Sequence, residues 1–273
     1  MADFEDREIR VNNLRLCYLD WENYSARPVV LLHGLWGYAH YWDFFAKSMS
    51  SEYHIIALDQ RGHGDSDRAE SYSIKDYLHD LEAFSNELGL DKILLIGHSM
   101  AGITGVLYAA RNPEKVAKLI IVDIGPELSP TGTERMQKEI ESKPESFRDE
   151  NEVAQFLRYR DPLQSQEVIE HHLRHSLTRN ETGNLIFKHD KALDKPNLQS
   201  PEFLWDQLHK LTCSTLLVHG VESDFLTDET AQAMIEAMPN GALVNIDGAG
   251  HDAPLDNPGG FESAVRDFLQ RTD

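Results

Sequence analysis

Six short, almost wholly apolar runs constrain this chain more than any other feature. They are PVVLLHG (28–34), HIIALD (54–59), KILLIG (92–97), KLIIVDIG (118–125), STLLVHG (214–220) and GALVNID (241–247). A strand apolar at consecutive positions must be covered on both faces, as parallel strands are. The stretches between the runs read as helices. In SIKDYLHDLEAFSNELGL the residues Ile74, Tyr77, Leu78, Leu81, Phe84 and Leu88 follow a helical stripe that Gly89 ends. MAGITGVLYAARNP is closed by Asn112 and Pro113. Strand–helix–strand repeated at this spacing specifies an α/β fold, a parallel sheet with helices on both faces. Ahead of it, REIRVNNLRLCYLD reads as two short strands around an Asn-Asn turn.

Residues 126–205 break this rhythm. They are polar, with apolar positions three and four apart in VAQFLRY and VIEHHLRHSL, and contain no buried strand run. The expected organisation is a core of residues 1–125 and 206–273 with a helical insertion, 126–205, lying over the strand ends where open α/β sheets form their sites.

Lys and Arg total 26 against 46 Asp and Glu, a net charge of −20, so the surface repels nucleic acid and anionic lipid. The start, MADFEDREIR, lacks the apolar core of a signal peptide, and the apolar runs are far too short to span a bilayer. A cytoplasmic location is expected. Cys17 and Cys213 fall in predicted strands; parity allows one disulfide, but two buried free thiols are expected in such a chain.

KILLIGHSMAGITG carries the chemistry. A strand passes into a helix through one residue, Ser99, flanked at two positions either side by the small Gly97 and Ala101, as a strained turn requires. That turn would expose the Ser99 hydroxyl at the strand end and aim the Met100 N–H at a developing oxyanion. The alternative is an ordinary serine N-cap. In LLHGLWG the N–H of Leu35 is the candidate second donor, with His33 and Gly34 shaping the turn. Trp36, Tyr38, Tyr41 and Trp42 follow as candidates for an apolar pocket or for core packing, with Trp36 the pocket residue chosen. His251, in the Gly-rich loop GAGHDAPLDNP, is the candidate general base. Asp224, five residues past a strand in VHGVESDFLTDE, is the chosen acid to orient it. Glu222 and Asp228 are local rivals, and Asp123 at the end of LIIVD is a rival from another strand.

The order Ser99, Asp224, His251, with HGLWG, DQRGHGDSD, GHSMAG, GVESD and GAGH, resembles the α/β-hydrolase superfamily over essentially the whole chain. The resemblance implies a mostly parallel eight-stranded sheet, a helical cap at 126–205 inserted after the sixth strand, and a structural role for DQRGHGDSD. Ala101 stands where many relatives have glycine. The implied activity is that of a serine hydrolase cleaving a carboxylic ester or lactone through an acyl-enzyme on Ser99, without metal or organic cofactor. The expected partner is a small ester, with no nucleic acid or membrane; the oligomeric state is left open. The same triad serves carbon–carbon bond hydrolases and cofactor-free haloperoxidases or perhydrolases. A dianionic substrate of the former would need a basic pair such as Arg158 and Arg160 or Arg174 and Arg179. A slow-turnover ligand receptor is the alternative of another class.

Two further groups resemble metal sites. HHLRH sets His171 and His175 one helical turn apart, but the sequence offers no adjacent ligand, and a solvated helix face is expected. Asp59, Arg61, His63 and Asp65 are expected to shape a turn.

Overall fold

The computed structural model describes residues 4–196 and 198–271. The first three residues of the acidic N-terminal stretch, Asn197 of the insertion and the last two residues lie outside them. The predicted hairpin forms from β1 (Glu5–Val11) and β2 (Leu14–Trp21). Asn12 and Asn13 both take positive φ, 50° and 64°, as the hairpin turn requires. The alternating core follows: β3 (Pro28–Leu32), α1 (Asp43–Met49), β4 (His54–Leu58), α2 (Ile74–Glu87), β5 (Ile93–His98), α3 (Met100–Arg111) and β6 (Val116–Val122). Ser73 and Asp76 close a reciprocal capping box at the start of α2.

The strands form one eight-stranded sheet in the order β1-β2-β4-β3-β5-β6-β9-β10. Only β2 runs against the others, antiparallel to both β1 and β4; every other pair of this sheet is parallel. The insertion carries α4 (Pro130–Ser142), α5 (Glu150–Arg160), α6 (Gln166–His175), β7 (Leu177–Arg179) and β8 (Leu185–Phe187), and α7 (Trp205–Leu208) leads from it back into the core. Then β9 (Ser214–Gly220), α8 (Asp228–Ala237), β10 (Gly241–Ile246), α9 (Ala253–Asp256) and α10 (Pro258–Gln270) complete the core.

The consecutive apolar residues divide between two faces. Val30, Leu32, Leu95, Leu119 and Ile121 pack under α2, α3 and α8. Val29, Leu31, Leu94, Ile96 and Ile120 pack on the opposite face with Phe45 and Met49 of α1 and Phe261 and Val265 of α10. The period of two along each strand therefore feeds two cores at once. Each fully buried aliphatic side chain contributes about 1.5–3 kcal/mol.

The insertion has its own apolar cluster of Phe147, Val153, Leu157, Ile169 and Leu185. It is not wholly helical, as the sequence reading expected. Residues 177–187 form the antiparallel hairpin β7–β8, and Phe147 bridges to Leu185. Three-residue strands are too short to leave a periodic signature.

Candidate active site

The sheet's order reverses at β3: β4 lies on one side of it and β5 on the other. A crevice opens at such a switch point, beyond the strand ends. Ser99 stands at the end of β5, with φ 53° and ψ −123°, a strained conformation for a residue with a side chain. A Cβ on Gly97 would lie 2.4 Å from the Ala101 carbonyl oxygen, so the elbow admits only glycine there. Ala101 is fully buried and fits. Ser99 makes no side-chain capping hydrogen bond, which removes the N-cap alternative and leaves its hydroxyl for other work.

That hydroxyl faces His251, with Nε2 3.0 Å from Ser99 Oγ. His251 Nδ1 lies 2.8 Å from Oδ2 of Asp123, not of Asp224. Asp123 is fully buried at the end of β6. The Ser223 hydroxyl donates to its Oδ2 at 2.5 Å and the Gly220 N–H to its Oδ1 at 3.2 Å. The expectation for Asp224 is therefore corrected. Its carboxylate accepts two hydrogen bonds from Arg135 of α4, at 2.6 and 2.9 Å, and ties the insertion to the core. Glu222 and Asp228 do not reach His251 either: Asp228 lies 3.4 Å from His219. The physical reason is register. β6 lies between β5 and β9, so its end adjoins the elbow, and the Ser99 N–H donates to the Val122 carbonyl.

Burial alone would lower the His251 pKa, but the hydrogen bond and charge of Asp123 outweigh it and the net shift is upward. The ring stacks on Phe225, centroids 4.3 Å apart. Its backbone carbonyl lies 2.8 Å from Nε2 of His98, whose own ring stacks on Tyr41.

Loop 34–37 closes against the elbow: a Cβ on Gly34 would lie 3.0 Å from that of Ser99. The Trp36 N–H donates to His63 and the Gly37 N–H to the Gly34 carbonyl. The Leu35 N–H has no acceptor among the described residues, and Leu35 lines the cavity together with Ser99. Met100 opens α3, where first-turn amides lack helical partners.

The cavity holds about 390 Å³, in the range of small-molecule sites. Core loops and the insertion both line it. Trp36 lines it, and its indole N–H donates to the Leu193 carbonyl of the insertion. Tyr38 and Tyr41 line the cavity too, whereas Trp42 is fully buried in the core. Sequence reasoning missed the charged wall: Arg135, Glu139, Asp161 and Asp252, with only Arg160 raised, as one half of a basic pair. Asp252 is pulled down to about 2: burial opposes its charge, but His98 and Arg160 prevail.

A profile of the alpha/beta hydrolase fold matches residues 27–258. The chain belongs to the alpha/beta hydrolase family. Among similar proteins, the sn-1-specific diacylglycerol lipase ABHD11 of Mus musculus is 27% identical over 97% of this chain and 88% of its own length. An esterase of Mycobacterium tuberculosis is 26% identical over 90% of this chain and 83% of its own. The crystal structure of an alpha/beta hydrolase from Novosphingobium aromaticivorans superposes with a TM-score of 0.84 at 28% identity, covering 100% of both chains.

Within this hydrolase, DQRGHGDSD is structural. Asp59 accepts from the Ala39 and Asp65 N–H groups, and Arg61 forms a two-pronged pair with Asp80. No disulfide joins Cys17 and Cys213; both are half-buried rather than buried, and burial raises the Cys17 thiol to about 11. The HHLRH face is not solvated as expected: His171 and His172 are buried against the core. Among the described residues no helix is long and apolar enough to cross a membrane.

Proposed function

We propose that this alpha/beta hydrolase cleaves carboxylic esters through an acyl-enzyme on Ser99. One observation carries the reading: the continuous hydrogen-bonded line Ser99–His251–Asp123 opening into a cavity beside an uncommitted backbone amide. The Ser99 hydroxyl donates to His251 Nε2, and His251 Nδ1–H donates to Asp123. As Ser99 attacks the carbonyl carbon, His251 takes the proton, and Asp123 stabilises the imidazolium. The Leu35 and Met100 N–H groups receive the oxyanion. His251 returns the proton to the departing alcohol. Water, activated by the same imidazole, then releases the acid. The ester- and lipase-named relatives support an ester over other acyl compounds.

The test is turnover of p-nitrophenyl esters from acetate to dodecanoate by wild type and Ser99→Ala. Wild type should cycle, and the variant should lose on the order of 10⁴- to 10⁶-fold. Comparable rates in both would overturn the assignment.

A second reading concerns the substrate. Arg160 borders the cavity; its guanidinium makes no hydrogen bond among the described residues and has its nearest carboxylate, Glu139, at 3.7 Å. A guanidinium so placed suits an ester that also carries an acidic group. Arg160→Gln should then raise KM for a succinate monoester more than for a neutral ester of equal length; equal effects on both would reject it.

A further inference from the structure

The histidines of HHLRH meet a second group that is remote in sequence. His40 and Asp43 lie at the start of the core's first helical segment, and His171 and His175 on α6 pack against them. The His40 and His175 rings are 3.9 Å apart and those of His171 and His175 4.6 Å. Asp43 Oδ2 lies 2.9 Å from His40 Nδ1. The His175 ring makes no hydrogen bond with any described residue, although it is half-buried among other imidazoles.

We propose that His40, Asp43 and His175 bind a divalent transition-metal ion, with zinc as its representative, and that the ion joins the insertion to the core. One ligand atom from each of the three falls within 4.8 Å of the others. Tetrahedral zinc with bonds of about 2.0–2.1 Å sets ligand atoms about 3.3 Å apart. Closure therefore needs only small side-chain rotations, and all three residues are accessible enough to make them. Two imidazoles and one carboxylate suit zinc, nickel or copper, whereas magnesium and calcium favour oxygen alone. Three protein ligands leave one position for water.

His171 acts as a positioning residue. Its Nε2 lies 2.8 Å from the His40 carbonyl and 3.5 Å from Asp43 Oδ2, holding both near the ligand position. The ion would restrain α6, whose His172 lines the active-site cavity and pairs with Tyr38 at 2.7 Å.

The test is calorimetric titration of chelator-treated full-length protein with zinc chloride, beside melting curves. Wild type should bind one zinc per chain, and its Tm should rise by about 5 °C at a hundredfold excess over Kd. His175→Ala and Asp43→Asn should each weaken binding at least tenfold, and His251→Ala should leave it unchanged. Absence of zinc binding by wild type overturns the proposal whether or not the variants fold. So does binding that survives in folded His175→Ala, or that disappears in His251→Ala.

Discussion

Asp123 and Asp224 each follow a parallel strand of the same sheet, yet they sit in different physical settings. Asp123 is sealed under the strand ends and spends its carboxylate on His251, Ser223 and the Gly220 amide, all parts of the core. Asp224 is half-buried and turns outward to a guanidinium of the insertion. The first arrangement is fixed by the sheet's hydrogen bonds and cannot slide without breaking them. The second joins two layers across a cavity through a pair of side chains, beside the Ser129 N–H that donates to the Phe225 carbonyl. Preorganised chemistry is thus built on the sheet, while the insertion shapes and covers the space above it.

The sharpest way to break this comparison is to neutralise the two aspartates separately. Asp123→Asn should lower kcat about 10⁴-fold on a p-nitrophenyl ester, because an amide in that place favours the wrong imidazole tautomer. If Asp224→Asn were instead the more damaging change, the sheet would not be the element that organises catalysis.

The next effect is a pH shift. His251 must be neutral to accept the Ser99 proton, so activity rises as pH passes its pKa. Burial lowers that pKa, and Asp123 raises it by more. The acid limb of kcat/KM in wild type should therefore lie above 6.5, the ordinary imidazole value. In Asp123→Asn the hydrogen bond to a carboxylate and its charge are gone and burial remains, so the residual activity should have its acid limb at lower pH. A limb that does not move would mean that Asp123 does not set the charge of His251.

The same contrast explains what the sequence discloses. Strands and elbow are written locally: KILLIG is apolar at consecutive positions because both faces are covered, and Gly97 and Ala101 are small because the turn allows nothing larger. Ser99 and His251, which the structure brings together, could be located from strand ends alone. The acid could not, since the choice depends on which strand lies beside β5. That is a property of strand order, which hydrogen bonds between distant segments decide. Asp123 did leave a trace: a carboxylate directly ending the apolar run LIIVD at a covered strand is buried, and a buried carboxylate needs partners. The pairings of the insertion, Asp224 with Arg135 and His175 with His40, link segments whose distance in sequence carries no signal. Arg160 of the insertion and Asp252 of the core come to line one cavity only once the insertion has folded over the sheet.

The smallest effect sharpens the comparison from the insertion's side. Arg135 and Asp224 form a bidentate pair, but their side chains are 38% and 27% exposed, so water screens the attraction. Exposed pairs are worth about 0–1 kcal/mol, and this one should lie near the upper end because its geometry is two-pronged. Arg135 also lies over the Phe225 ring that stacks on His251, so the pair steadies one wall of the base's site without touching the reacting atoms. Asp224→Asn should accordingly lower Tm by about 2 °C or less, and leave kcat within about tenfold of wild type. KM should rise more than kcat falls, because the loosened element is a wall of the cavity. A double-mutant cycle with Arg135→Gln isolates the pair, and a coupling near zero would show that this ion pair does not hold the insertion down, leaving that to packing and to bonds such as Trp36 to Leu193.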